Sequence, residues 1–240
     1  MNTWVFDVDG VLTDIGKSID TNFKDWFSSW SKGKRYYIIT AGKRENVIEQ
    51  LHHDIISNAK QVYYCMGNSR WINGLEERFN EFELSKDEVD WFDSTIQKSK
   101  FPIKTGLHLD YRPGGLNFSI LGRNANIQER QEYINWDKET NERLNIILEF
   151  NEKFPKFESF LGGNTSIDIC LKNANKGQCY DLIKKEYSEP ILFFGDRCHE
   201  YGVDQPFAEK CMNYGDKYFQ INNGYKETEK IIREILNEEI

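Results

Sequence analysis

The apolar run Trp4-Val5-Phe6 stops abruptly at Asp7-Val8-Asp9-Gly10. A run this short reads as a buried strand rather than a helix, and two carboxylates directly after it lie outside the strand's carboxyl end. The pattern recurs. Tyr36-Tyr37-Ile38-Ile39 stops at Thr40-Ala41-Gly42, and Ile191-Leu192-Phe193-Phe194 stops at Gly195-Asp196. Continuous apolar runs suit strands covered on both faces. A helix-compatible stretch over about 19–30 and the helical spacing of Val47, Ile48 and Leu51 supply crossovers, so the chain predicts an α/β fold with a parallel sheet. In such sheets ligands bind beyond the carboxyl ends of the strands. Asp7, Asp9, Thr40 and Asp196 are delivered there, with Asp204 in the loop beyond.

The middle of the chain has a different texture. Residues 81–96 are acidic and helical in pattern, and 107–111 and 116–120 read as short strands joined by the turn Arg112-Pro113-Gly114-Gly115. Helical patterns follow at about 127–134 and 138–153. Two strand candidates flank Gly162-Gly163-Asn164, and a helix over about 176–185 leads back to the late apolar run. These elements predict an α+β insert over 81–171 within a core made of 1–80 and 172–240, with hinges near residues 80 and 171.

Charge narrows the partners. With 31 basic and 39 acidic residues, the chain carries 31 − 39 = −8, which argues against a general grip on nucleic acid or on an anionic membrane. No window approaches the roughly 18–20 apolar residues of a membrane span, and Met1 leads straight into the first strand candidate without a basic leader, so a cytoplasmic location is expected. The five cysteines are odd in number and lack a C-x-x-C pair; they read as reduced, packed thiols. None of the four histidines has a plausible zinc-ligand partner nearby in sequence.

Three or four carboxylates converging on one mouth repel each other unless a hard cation neutralises them, and Mg²⁺ is the usual partner when phosphate is the other ligand. A single Asp there would be read as a strand or helix cap, and Lys176 alone as a solvated lysine at a helix start. The run Phe6-Asp7-Val8-Asp9-Gly10-Val11-Leu12-Thr13, followed by Thr40, Lys176 and Asp196, resembles the motif series of the haloacid dehalogenase superfamily of phosphotransferases. The resemblance implies a Rossmann-like core in which Asp7 is the nucleophile and Asp9 the general acid and base. It further implies that Thr40 and Lys176 engage the phosphoryl group, and that Mg²⁺ is held by Asp7, the backbone carbonyl of Asp9, Asp196 and, through water, Asp204.

Within the insert, Arg112-Pro113-Gly114-Gly115-Leu116-Asn117-Phe118-Ser119-Ile120-Leu121-Gly122-Arg123 with Gln128-Glu129-Arg130, and Gly162-Gly163-Asn164-Thr165-Ser166-Ile167-Asp168, resemble the cap segments of eukaryotic-type phosphomannomutases. Gly16 and Lys17 stand where that family carries an arginine. Guanidinium groups bind a phosphate dianion bidentately and stay charged at any working pH, so Arg112, Arg123 and Arg130 read together as an anion site. Ser166 and Asp168 suit sugar hydroxyls. Arg143 and Arg233 read as surface charges. The resemblance implies a Mg²⁺-dependent phosphomannomutase acting on a small sugar phosphate, activated by hexose 1,6-bisphosphate and dimerising through its cap. A sugar-phosphate phosphatase with the same nucleophile is the alternative, and an inactive sugar-phosphate-binding protein is the third reading.

Overall fold

A computed structural model describes residues 2–238 of the chain, and among these the strands form two sheets. Met1 and residues 239–240, which fall inside the expected core boundaries, lie outside the described residues.

The larger sheet contains β1 (Thr3–Phe6), β2 (Tyr36–Ile39), β3 (Gln61–Tyr64), β4 (Ser69–Ile72), β5 (Leu75–Arg78), β10 (Ile191–Gly195) and β11 (Lys217–Gln220), in the order β11-β10-β1-β2-β3-β4-β5. The first five in that order are parallel, and β4 and β5 continue the sheet antiparallel. That hairpin was not among the expected strands. Its surface is charged, but its turn, Asn73-Gly74, has both residues at positive φ, the signature of a two-residue hairpin loop.

Both faces of this sheet are covered, which explains the unbroken apolar runs. Trp4, Phe6, Tyr36 and Phe194 pack on one side against Phe23, Phe27 and Trp30 of α1 (Thr21–Trp30). Val5, Tyr37 and Phe193 pack on the other against α7 (Gly177–Glu186) and α8 (Gln205–Tyr214), through Cys179, Ile183 and Phe207. Each buried aromatic of this kind contributes about 1.5–3 kcal/mol. Two short helices, α2 (Arg44–Gln50) and α3 (His53–Asn58), join β2 to β3, and α9 (Tyr225–Glu238) follows β11.

The smaller sheet, in the order β6-β7-β9-β8, is antiparallel throughout: β6 (Leu109–Arg112), β7 (Gly115–Phe118), β8 (Phe157–Leu161) and β9 (Ile167–Leu171). Leu116, Phe118, Ile167 and Ile169 face a core shared with α4 (Lys86–Lys98), α5 (Ile127–Thr140) and α6 (Glu142–Lys153), centred on Phe92, Tyr133 and Phe150. The alternate positions form a polar face. Asp110 pairs in register with Asn117, and Asn117 with Asp168, so three polar side chains lie abreast across three strands.

Some boundaries moved. The first insert helix begins at Lys86 rather than near 81, because Ser85 and Glu88 close a capping box there. The next helix runs on to Thr140, past its expected end near 134, and its successor starts at Glu142 rather than near 138, because the left-handed backbone of Asn141 (φ 52°) sets the break there. All five cysteines are free, and four are buried. None of the described helices is long and apolar enough to cross a membrane.

Candidate active site

The segment after β1 turns back tightly. Leu12 and Thr13 both donate backbone N–H bonds to Val8 O, and Gly10 N donates to Thr13 O at 2.8 Å. Gly10 sits at φ +76°, and a Cβ there would fall 2.6 Å from Asp196 Oδ2, so the Asp196 side chain lies against this turn only because the turn residue has no Cβ. The close approach brings the carboxylates together: one oxygen each from Asp7, Asp196 and Asp204 lie within 4.8 Å of one another. Oxygen donors so grouped suit a hard divalent cation of the Mg²⁺ type.

Lys176 is fully buried and bridges two of them, with Nζ 2.9 Å from Asp7 Oδ1 and 2.6 Å from Asp204 Oδ1. The solvated-lysine alternative is therefore excluded. Asp204 is also wholly buried, and its Oδ2 accepts the backbone N–H of Arg197 at 3.0 Å. Burial pushes Asp7 well above the ordinary carboxylate range, with the Asp204 and Asp196 charges adding to the rise and Lys176 opposing it. Asp196 is pushed up to about 7, chiefly by burial and then by Asp204. One ammonium does not offset three carboxylates held this close, an imbalance that a bound dication would remove.

Thr40 is buried at the end of β2 and its Oγ1 accepts Gly42 N at 2.9 Å, closing the loop on itself. Asp7, Asp9, Thr40, Asp168, Asp196 and Arg197 line a narrow cleft of about 60 Å³ between the two sheets. Asp9 also opens onto an adjoining cavity of about 730 Å³. That cavity is lined by Lys17, Asn117, Arg123, Arg130 and Ser166, a volume within the range of small-molecule sites.

The three expected arginines do not sit alike. Arg123 and Arg130 line the cavity. Arg130 Nη2 donates to Arg123 O at 2.9 Å and its Nη1 to Thr165 Oγ1 at 3.3 Å, which leaves its charge unpaired by any acid among the described residues. Arg123 pairs with Asp110. Arg112, by contrast, does not line the cavity. Its guanidinium donates to Ala41 O at 2.7 Å and pairs with Asp110 and Asp168, each at 3.4 Å, fastening the smaller sheet to the Thr40 loop. Asp168 is likewise engaged, accepting Asn117 Nδ2 at 2.6 Å, and the same amide reaches Ser166 Oγ at 3.0 Å.

Several residues here were not singled out from sequence. Arg197 Nη2 crosses to Asn164 Oδ1 at 3.0 Å. Arg143, expected as a surface charge, has its side chain only 12% exposed: it pairs with Asp137 at 2.8 Å and donates to Gly163 O and Ser166 O, bracing the glycine loop. Arg233 does lie at the surface, paired with Glu229. Asp110 and Gln50 also touch site residues; strand alternation with Arg112 was the available signal for Asp110, and Gln50 had none.

A family model described as eukaryotic phosphomannomutase matches residues 32–238, a span that begins after Asp7 and Asp9. A phosphomannomutase of Dendrobium officinale is 29% identical over 219 residues, covering 88% of this chain and 86% of its own length. Among solved structures, IMP-bound IMP-nucleotidase of Plasmodium falciparum aligns over 99% of this chain and 68% of its own at 12% identity, with a TM-score of 0.62. The Thermoplasma acidophilum protein 0175 aligns over 98% and 97% at 15% identity, with a TM-score of 0.61. These two likenesses carry the fold alone.

Proposed function

The chain belongs to the eukaryotic phosphomannomutase family, and on that premise we propose that it interconverts mannose 6-phosphate and mannose 1-phosphate through a phosphorylated Asp7. The observation that carries this reading is the fully buried Lys176 joining Asp7 to Asp204, with Asp7 and Asp196 lining a cleft that shares Asp9 with the cavity presenting Arg123 and Arg130.

Lys176 holds Asp7 with one oxygen occupied and draws phosphoryl charge toward the cleft. Asp7 attacks phosphorus, a bond forms from its carboxylate oxygen to phosphorus, and the bond to the sugar oxygen breaks, which divides one hard transfer into two easier ones. Asp9 protonates the departing sugar oxygen and takes the proton back from the incoming one, work that contributes about 10²–10⁴-fold. Asp7, Asp196 and the Asp9 carbonyl, with Asp204 behind them, would hold Mg²⁺, which when bound would neutralise the phosphoryl charge. Thr40 donates to the phosphoryl oxygens. The phosphate that is not transferred is held by Arg123 and Arg130, with Lys17 on the same wall and Ser166 and Asp168 toward the sugar. The smaller sheet and its helices act as a cap whose closure keeps water from the aspartyl phosphate. Hexose 1,6-bisphosphate primes the cycle, the cap forms a homodimer, and the enzyme works in the cytoplasm.

The test is to incubate the protein with mannose 1-phosphate, Mg²⁺ and a catalytic amount of hexose 1,6-bisphosphate, following mannose 6-phosphate and free phosphate separately. Isomerisation without phosphate release is expected. Stoichiometric free phosphate with no isomer would make the protein a phosphatase of the same fold, and silence in both channels would make it a binding protein.

A further inference from the structure

Asp9 is held to the rest of the chain through one oxygen. Its Oδ1 accepts the backbone N–H of Gly16 and the side-chain amide of Gln50, both at 2.7 Å, and no hydrogen bond to Oδ2 is found among the described residues. Gln50 is the last residue of α2 and is half-buried. Its own carbonyl accepts Ile19 N at 2.8 Å, so this one residue grips the loop after β1 at two points. Facing a carboxylate, the Gln50 amide can present only its N–H₂ end.

Both partners of Oδ1 are N–H donors with nothing to accept a proton. Oδ1 is therefore committed to accepting, and an exchangeable proton on Asp9 resides on Oδ2. Asp9 is also the carboxylate common to the narrow cleft with Asp7 and the larger cavity. We infer that Gln50 is a positioning residue for proton transfer: by pinning Oδ1 it presents Oδ2 to the cleft and makes it the oxygen that passes the proton. This rests on the assignment of Asp9 as acid and base proposed above. As the Asp7–phosphorus bond forms and the phosphorus–sugar bond breaks, the released electron pair stays on the sugar oxygen, which takes the Oδ2 proton. The return half-reaction gives that proton back to Oδ2, and Gln50 is unchanged throughout.

The experiment compares two phosphoryl donors in single-turnover mixing with the full-length protein and Mg²⁺. Mannose 1-phosphate expels an alkoxide that needs a proton, whereas p-nitrophenyl phosphate expels a phenolate that does not. In Gln50→Met, which keeps the side-chain length and removes the donor, enzyme phosphorylation by mannose 1-phosphate should fall about 100-fold, and that by the aryl donor less than about threefold, since only general acid assistance is lost. Gln50→Ala should show the same selectivity and serves if the first variant does not fold. Equal losses with both donors, or a change in KM alone, would overturn the inference while leaving Asp7 chemistry intact. A wild-type protein that neither of these donors nor hexose 1,6-bisphosphate phosphorylates would overturn the functional reading itself.

Discussion

Lys43, in the loop that follows β2, reaches the smaller sheet and places its Nζ 2.6 Å from Asp110 Oδ1 on β6. Asp110 also receives Arg112 and Arg123, so one carboxylate gathers three cations from both halves of the molecule. Burial alone would raise its proton affinity; the bonds from Lys43 and Arg123 and the charge of Arg112 outweigh that and hold it below the ordinary carboxylate range. Asp110 thus occupies Arg123, one of the arginines lining the cavity.

Asp110→Asn should release Arg123. Inorganic phosphate would then bind about fivefold more tightly at low ionic strength, an advantage that fades as salt screens the added positive field. Calorimetric titration at two salt concentrations measures it, and unchanged affinity at low salt would show that Asp110 does not compete with anions.

Lys176→Met leaves Asp7 and Asp204 buried without their counter-charge. Breaking a buried pair by removing one partner costs about 3–5 kcal/mol, so the metal-free variant should melt well below the wild type and turn over no substrate. Added Mg²⁺ should recover part of the melting temperature and none of the turnover. A variant with an unaltered denaturation midpoint would contradict the bridging role.

The pH dependence of metal-free stability follows from Asp196, whose folded-state value of about 7 lies above the ordinary 3.8. Between those values the folded protein binds the more protons, so this group's contribution is complete below about 3.8 and is lost as pH rises to about 7. Asp7 shifts in the same direction. Mg²⁺ displaces these protons, so its stabilising effect should be larger at pH 8 than at pH 5.5. Thermal melts with and without Mg²⁺ at the two values decide the matter, and an equal or reversed increment would refute it.

Gly10→Ala forces a side chain into a left-handed backbone and against Asp196 Oδ2. The expected outcome is loss of Mg²⁺ affinity and of turnover, together with about 1–3 kcal/mol of stability. Retained Mg²⁺ binding in a titration would mean that the turn relaxes without moving Asp196.

Much of this was legible in one dimension. Short apolar runs ending at Asp7, Thr40 and Asp196 disclosed a parallel sheet and its working edge, because a strand buried on both faces must be apolar along its length and its polar residues can begin only where it stops. The hairpin of β4 and β5 went unread although Asn73-Gly74 marks it, since its strands carry the charges of Arg70, Glu76, Glu77 and Arg78 and show no apolar run.

The sequence by itself determined the chemical identities: the acids after the strands, a lysine at a helix start, and arginines in an insert. Only the tertiary structure decided what each one touches. It buried Lys176 between Asp7 and Asp204, sent Arg112 to Ala41 instead of the cavity, folded Arg143 inward onto the Gly162-Gly163 loop, and set Gln50 on one oxygen of Asp9. The reason is physical. A residue's type fixes which bonds it can make, but which bonds are made depends on partners 28, 71 or 41 positions away, brought within about 3 Å by packing that has no local sequence signal.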